Sequence, residues 1–171
     1  MRINYLSKKE AASLAARIRS LGWGEALKEE KPRKALEIKE KGMKVKIYCI
    51  GGLIIGEKNE TLFPTLHEAR NREALAKLPS MIVDMGAVPH IVNGADVMRP
   101  GVREFQGDFR KGDLVVVRDE RHHKPLAIAI SLEDSEKCKE MRRGKVAENI
   151  HHVDDRIWKL VSRISHVIER A

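Results

Sequence analysis

The chain has 171 residues, of which 42% are hydrophobic and 34% are charged, and its formal net charge is +8. This is enough for one large domain or two small ones with a real core. No apolar run approaches the roughly 20 residues that span a bilayer, and the charged N-terminus lacks a signal-peptide pattern. We therefore expect a soluble, cytoplasmic protein with no membrane partner. Cys49 and Cys138 are isolated in the sequence, which argues against a disulfide framework or a zinc site.

The positive charge is unevenly distributed along the chain. Residues 1–80 carry a net charge of +7, whereas residues 81–171 carry +1. A basic excess of this kind favours a polyanionic partner. A run of like charges is more often a solvated face, so the charge alone does not decide for nucleic acid.

The first half of the chain predicts a mixture of helices and strands. Ser7 and Glu10 form a capping box that begins a helix. From "ALEIK" the hydrophobic period changes to two, and Gly42 marks the turn of a β-hairpin. "LIIG" predicts a third strand, and "TLHEARNREALAKL" predicts a second helix that ends before Pro79. We therefore expect residues 1–78 to form a small basic α+β domain.

The second half has short strands separated by glycine-rich turns. "MIVDMGAV", "IVNG", "DLVVVRD", "PLAIAIS" and "KVAENIHHV" each predict a strand. Strands at this spacing are typical of a compact β-barrel or sandwich, which we place at residues 79–158. Between the last two strands, "LEDSEKCKEMRRG" predicts a short helix capped by Ser131 and closed by Gly144.

The chain ends in an amphipathic helix, whose final part, residues 159–171, we treat as an extension. Asp154 and Asp155 are suited to its cap and first turn. Its apolar stripe must be buried, either inside the protein or against a partner. The stripe consists of Ile157, Leu160, Val161, Ile164 and Ile168.

The neutral stretch "GAVPHIVNGADVMRPG" at residues 86–101 stands out in so charged a chain. Gly94 and Gly101 allow positive φ or a close approach of the backbone to another surface. "ADVMRP" predicts one helical turn whose N–H groups could meet phosphate oxygens, with Arg99 and Arg103 adding charge. A corner that lets the barrel close explains the same glycines.

Metal binding and catalysis have little support in the sequence. The histidine pairs at 122–123 and 151–152 have no cysteine or third histidine at ligand spacing, and we interpret them as solvated loop residues. Asp84 and Asp96 flank the glycines without a base beside them, and Asp96 can cap the short turn. We expect a binding module with no cofactor and no metal.

Four segments of the second half resemble a PUA domain, the RNA-binding module named after pseudouridine synthases and archaeosine transglycosylases. They are "VDMGAVPHIVNGADVMRPGV", "FRKGDLVVV", "KPLAIAIS" and "RGKVAENIHHVDDRIW". "ENIHHVDDRIW" and the earlier "LFPTL" are similar to the archaeal relatives of the malignant T-cell-amplified-sequence protein. In that family a small α+β domain precedes the PUA domain.

The resemblance implies an α+β N-terminal domain followed by a mostly β PUA pseudo-barrel with short helices and a C-terminal helix. It also implies an RNA-binding face at the glycine turn, beside the last strand of the domain. The residues it implies for this face are Gly94, Ala95, Asp96, Arg99, Gly101, Arg103, Lys145, Asn149 and His151.

The resulting hypothesis is a non-catalytic protein that recognises structured RNA, tRNA or rRNA, in translation initiation or recycling or in ribosome function. The family implies the small ribosomal subunit and an initiation-factor-like protein as partners. An alternative is an adaptor whose C-terminal helix docks on an RNA-modifying or ribosome-biogenesis enzyme. An RNA-modifying enzyme would need a nucleophile or catalytic carboxylate in residues 1–78, where no such arrangement is found.

Overall fold

The structure is a computed structural model that describes residues 1–29, 32 and 34–169. The chain divides into two compact units. Unit 1 consists of Met1–Lys77 together with the chain from Lys159 onward, and unit 2 is Leu78–Trp158. The structure thus groups the residues from 159 with the N-terminal part, whereas the sequence suggests a separate extension. Residues 170–171 of that extension lie outside the described residues.

Unit 1 is an antiparallel sheet with helices. Among the described residues its strands follow the order β1-β2-β3-β4-β5. The elements before residue 78 are β1 (Arg2–Tyr5), α1 (Lys8–Arg19), a 3₁₀ turn (Gly24–Ala26), β2 (Ala35–Lys39), β3 (Lys46–Ile50), β4 (Leu53–Lys58), β5 (Thr61–Pro64) and α2 (Glu68–Ala76).

Local signals explain most of unit 1. The Ser7 hydroxyl accepts a hydrogen bond from the Glu10 N–H at 3.1 Å, and the Glu10 carboxylate accepts one from the Ser7 N–H at 2.7 Å. This confirms the predicted capping box. Gly42 has a φ of +82° in the turn between β2 and β3, as the hairpin requires. Strand β5 was not predicted, because its hairpin turn uses Asn59 and Glu60 at positive φ and carries no glycine.

A buried amide joins α2 to the sheet. Asn71 Nδ2 donates to the carbonyl oxygens of Ile54 at 2.6 Å and Thr65 at 2.8 Å. The Ile54 N–H donates to Asn71 Oδ1 at 3.1 Å. Asn71 is completely buried, and these bonds compensate for the desolvation of its side chain.

Unit 2 is a curved, mostly antiparallel sheet around one hydrophobic core. Among the described residues its strands follow the order β7-β11-β10-β9-β6-β8, with β6 parallel to β9. Its elements are β6 (Ser80–Val83), α3 (Val88–Ile91), β7 (Val97–Met98), a 3₁₀ turn (Arg99–Gly101), β8 (Val102–Gln106), β9 (Leu114–Asp119), β10 (Pro125–Ser131), α4 (Ser135–Glu140) and β11 (Lys145–His152).

Three predictions for unit 2 were wrong in detail. "IVNG" is the end of α3 and a turn, because Pro89 in the first turn of α3 favours a helical start. "ADVMRP" is not one helical turn, since Val97 and Met98 pair with β11 and the 3₁₀ turn starts only at Arg99. Helix α4 follows Asp134, and the Ser131 hydroxyl donates instead to the Arg110 carbonyl at 2.6 Å.

Helix α5 (Arg156–Glu169) follows β11. Asp155 Oδ1 accepts a hydrogen bond from the Trp158 N–H at 2.7 Å, so Asp155 caps the helix as predicted. Of the predicted stripe, Ile157, Leu160, Val161 and Ile164 are buried and Ile168 is half-buried. Of the two alternatives, the structure therefore favours packing inside the protein. No helix of the described residues, α5 included, is long and apolar enough to cross a membrane.

Candidate nucleic-acid interface

The glycine turn at residue 94 closes helix α3. Asp84 Oδ1 accepts a hydrogen bond from the Ala87 N–H at 2.8 Å, just before the helix begins. At the other end, the His90 carbonyl accepts from the Ala95 N–H at 2.9 Å. This closure requires Gly94 to adopt a φ of +94°, which confirms the predicted positive φ.

Asn149 on β11 holds this turn in place. Its Nδ2 donates to the carbonyl oxygens of Ile91 and Ala95, both at 3.0 Å. Its backbone N–H donates to Asp96 Oδ1 at 3.0 Å. The Asn149 Oδ1 atom is buried and has no hydrogen-bond partner in the described part of the chain. The Asn149 side chain therefore fixes the turn against strand β11.

Asp96 joins the turn to the last strand of unit 2. Its Oδ2 lies 3.2 Å from Lys145 Nζ, while its other oxygen accepts from Asn149. Asp96 therefore does not cap the short turn, as the sequence allowed. Met98 lies directly opposite Lys145 in the β7–β11 register and is 45% exposed. An exposed cation and an exposed apolar side chain thus lie beside the glycine turn.

Arg99 is used within the fold. Its Nε donates to the Cys138 carbonyl at 2.8 Å and one terminal nitrogen donates to the Val102 carbonyl at 3.0 Å. The guanidinium also lies over the Phe105 ring, 5.1 Å from its centroid. Because Cys138 is in the last turn of α4, the Arg99 charge faces the negative end of that helix. Arg99 fastens the 3₁₀ turn to α4, and its charge is largely committed.

Gly101 and Arg103 lie on the side of the turn that leads into β8. The Gly101 carbonyl accepts from the Asp84 N–H at 2.9 Å, and a Cβ at this position would lie 3.2 Å from the Ala87 Cβ. Arg103 is exposed and lies 3.5 Å from Glu120. Strand β8 is at the opposite end of the strand order from β7, so the structure does not pair Arg103 with Lys145 across neighbouring strands.

The two histidines of β11 differ in exposure, and both lie in a strand rather than a solvated loop. His151 is 1% exposed and its Nδ1 lies 2.9 Å from Asp155 Oδ2. Its burial does not fit the predicted direct contact with RNA. His152 is half-buried, with Nδ1 2.8 Å from the Val153 carbonyl. Its Nε2 would lie 3.3 Å from a Cβ placed on Gly94, so His152 is the histidine next to the turn.

Burial of Asp155 acts to raise its pKa, but the hydrogen bond and charge of His151 and the Trp158 N–H hold that pKa below its usual value. The carboxylate is therefore ionised near neutral pH. In that state one carboxylate oxygen contacts the buried His151 ring, and the other accepts the hydrogen bond from the Trp158 N–H at the start of α5.

Arg142 and Arg143 are basic residues that the sequence reasoning missed. Both are exposed in the loop between α4 and β11. The loop is fastened to the 3₁₀ turn, because the Gly144 carbonyl accepts from the Arg99 N–H at 2.8 Å. The signal for them was "RRGK", in which two arginines directly precede a predicted strand that itself begins with Lys145. We define the turn face as Gly94, Ala95, Asp96, Met98, Arg142, Arg143 and Lys145.

The two thiols are poorly suited to nucleophilic chemistry. Burial raises the pKa of Cys49 to about 12. Burial, and then the charge of Glu133, raises the pKa of Cys138.

Within the described residues no three His, Cys, Asp or Glu side chains are arranged to hold a metal ion. The turn face combines exposed cations with a backbone turn that hydrogen bonds hold in place, and this combination suits binding to an anionic surface.

The family of unit 2 follows from its sequence and fold together. Residues 79–153 match the family model of the PUA domain, which coincides with the curved sheet around the glycine turn. Unit 2 is therefore a PUA domain, and the predicted pseudo-barrel is confirmed.

Similar proteins extend beyond this domain. An uncharacterized protein of Methanocaldococcus jannaschii is 37% identical over 105 residues, 60% of this chain and 62% of that protein. Translation machinery-associated protein 20 of Eremothecium gossypii is 30% identical over 143 residues, 78% of this chain and 77% of that protein. A crystal structure of a hypothetical protein of Pyrococcus horikoshii has a TM-score of 0.76 and 31% identity, covering 93% of this chain and 99% of that one.

The chain belongs to the family of PUA-domain proteins that includes translation machinery-associated protein 20. Malignant T-cell-amplified sequence 1 of Rattus norvegicus is also similar, with 23% identity over 121 residues, 68% of this chain and 65% of that protein. The resemblance inferred from the sequence is thereby confirmed.

Proposed function

We propose that this protein binds structured RNA through the turn face of its PUA domain and acts in translation in the cytoplasm, without catalysing a reaction. Its family supports a role in translation, since relatives are named as translation machinery-associated proteins. Its net charge of +8 supports a polyanionic partner.

The observation that carries the proposal is the construction of the turn face. Asn149 and Asp96 fix the backbone at Gly94. The exposed Lys145 lies beside Asp96, and the doubly basic loop is fastened to the 3₁₀ turn that follows. A fixed backbone with cations beside it recognises shape and phosphates, because the geometry is set before RNA arrives.

The composition favours structured RNA, tRNA or rRNA, over single strands. Only 4% of the residues are aromatic, so extended stacking of unpaired bases has few platforms. Double-helical RNA is recognised mainly through the shape of its backbone and groove. The turn face has the fixed backbone and the cations that such recognition needs. We propose the small ribosomal subunit as the place of action, together with an initiation-factor-like partner.

The adaptor alternative loses the surface on which it was based. Leu160, Val161 and Ile164 of the C-terminal stripe are buried within the protein. A helix whose apolar face is already packed does not offer that face to an enzyme. We therefore place RNA binding ahead of the adaptor role.

The proposal is tested by binding of unfractionated tRNA and of small-subunit rRNA fragments, measured by fluorescence anisotropy. Arg142→Gln with Arg143→Gln should weaken binding at least tenfold at 0.1 M salt, because two phosphate contacts are lost. Arg121→Gln with Lys124→Gln, in the exposed turn between β9 and β10, removes the same charge and should have a much smaller effect. Equal losses in the two variants would refute the turn face as the RNA-binding site.

A further inference from the structure

The sheet of unit 1 places three cations in one row. Arg2 on β1 lies directly opposite Lys39 on β2. The pairing of β2 with β3 ends at Ile38 and Ile47, and continuing that register by one residue places Lys46 opposite Lys39. Directly opposite residues project from the same face of a sheet. We define Arg2, Lys39 and Lys46 as the cation row.

The cation row is unfavourable for folding by itself. Like charges directly opposite each other on neighbouring strands destabilise a sheet. The neighbouring Glu37 offsets the repulsion only in part, since its carboxylate lies 3.5 Å from Lys39 Nζ and 3.9 Å from Lys46 Nζ. One carboxylate is thus shared loosely by two lysines. The sheet would be more stable with a neutral residue in the row.

A second carboxylate near the row, that of Glu57, is already engaged. Glu57 lies opposite Lys46 on β4, but it is 2.8 Å from the Arg17 guanidinium and accepts from the Tyr48 hydroxyl at 3.1 Å. The side chains of Lys39 and Lys46 each remain 46% exposed. The row therefore presents excess positive charge to solvent.

A neighbouring cleft does not explain the row. A cavity of about 350 Å³ lies between α1 and the same face of the sheet. Its wall contains two cations, Lys9 and Arg17, and two carboxylates, Glu10 and Glu37, so the lining carries no net charge that would favour an anion. The unbalanced charge is in the cation row next to it.

We infer that the cation row is a second RNA-binding site, which contacts the phosphate backbone without reading sequence. Neighbouring strands are about 4.8 Å apart, so three cations span roughly 10 Å. A polyanion with closely spaced charges can meet all of them together, whereas one small anion cannot. The inference rests on the proposed RNA binding and adds a site on unit 1, away from the PUA domain in sequence.

The test measures how the tRNA affinity of the full chain depends on KCl concentration. Arg2→Gln, Lys39→Gln and Lys46→Gln together should lower the slope of log K against log salt by about 2 to 3, because each phosphate contact contributes roughly 0.7 to 0.9. The same slope predicts a loss of roughly a hundredfold at 0.1 M salt that disappears near 1 M. The melting temperature should stay the same or rise, because like-charge repulsion is removed.

Two controls separate the row from general charge. Lys28→Gln, Lys58→Gln and Lys77→Gln remove three charges from unit 1 outside the row and should change the slope by less than 1. Lys39→Arg with Lys46→Arg keeps the charge and should keep the slope. A row variant that behaves like the first control, or that loses stability, overturns the inference.

The remaining outcomes concern the identity of the ligand. Poly-L-glutamate that competes as well as tRNA would assign the row to acidic protein and overturn the inference. If the wild-type chain binds tRNA and the Arg142/Arg143 variant weakens it while the row variant does not, this second site is wrong and the proposed function stands. Absence of any tRNA or rRNA binding by the wild-type chain overturns both.

Discussion

Arg99 and Arg103 test whether the structure distinguishes an arginine that stabilises the fold from one that is exposed at the surface. Sequence reasoning placed Arg99 and Arg103 together as charges for RNA. In the structure, Arg99 donates to the carbonyls of Cys138 and Val102, whereas Arg103 is 65% exposed beside Glu120. We predict that Arg99→Ala destabilises unit 2 and that Arg103→Ala does not.

The expected magnitude follows from the contacts that are lost. Each hydrogen bond from a charged donor contributes about 1.5 kcal/mol at the low end. The contact with the Phe105 ring contributes about 0.5 to 1 kcal/mol. Because Arg99 is partly exposed, about 3 kcal/mol is a reasonable total. For a domain of this size, that loss lowers the melting temperature by roughly 10 to 20 °C.

Differential scanning calorimetry of the full chain measures this effect, since the two units can melt separately. Arg99→Lys should restore little of the lost stability, because an ammonium group cannot reach several carbonyls in a fixed fork. Arg103→Ala should stay within about 0.5 kcal/mol of the wild type, as is usual for exposed ion pairs. An Arg99→Ala protein that melts within 3 °C of Arg103→Ala would refute the assignment.

Three further predictions concern single residues that hold an element of the fold in place. Gly94→Val should destabilise unit 2 by about 1 to 3 kcal/mol and weaken tRNA binding, because a β-branched residue is strained at positive φ and its Cβ would crowd His152; unchanged urea unfolding would contradict this. Asn71→Ala should destabilise unit 1 by about 2 to 4 kcal/mol in the same assay, since the buried Ile54 N–H loses its acceptor and the Thr65 carbonyl loses a donor, and a loss under 0.5 kcal/mol would show that the network is not needed. Asp155→Asn should destabilise the chain by about 1 kcal/mol at pH 7. Because the pKa of Asp155 is lowered in the folded chain, its contribution is full above the unfolded pKa and is lost as the pH falls through the folded one. Thermal unfolding from pH 7 to pH 3 should thus show the mutant and wild type converging, and a constant difference would disprove the linkage.

Parts of the fold and the candidate site could be predicted wherever a local rule decides the conformation. The capping box at Ser7 and Glu10, the hairpin turn at Gly42 and the positive φ at Gly94 each depend on a few neighbouring residues. The short strand at Val97 could not be predicted in this way. It exists because it pairs with β11, about fifty residues later.

The side-chain roles at the site show the same division. His151 and His152 are adjacent and chemically identical in the sequence, yet one is buried against Asp155 and the other faces the Gly94 turn. The alternation of a strand and its packing decide which is which. The Arg99 guanidinium likewise meets the end of a helix that lies about forty residues away in the chain.

Composition and local motifs are enough to identify the family of this protein, its uneven charge and the position of the glycine turn. Which charged side chains stay exposed depends instead on contacts between residues far apart in the chain. Register across the unit 1 sheet brings Arg2 and Lys39 together, and the packing of unit 2 commits Arg99 while leaving Arg142 and Arg143 exposed. Pairing over long sequence distances has no local signal, so the two surfaces proposed to bind RNA could be identified only in the folded chain.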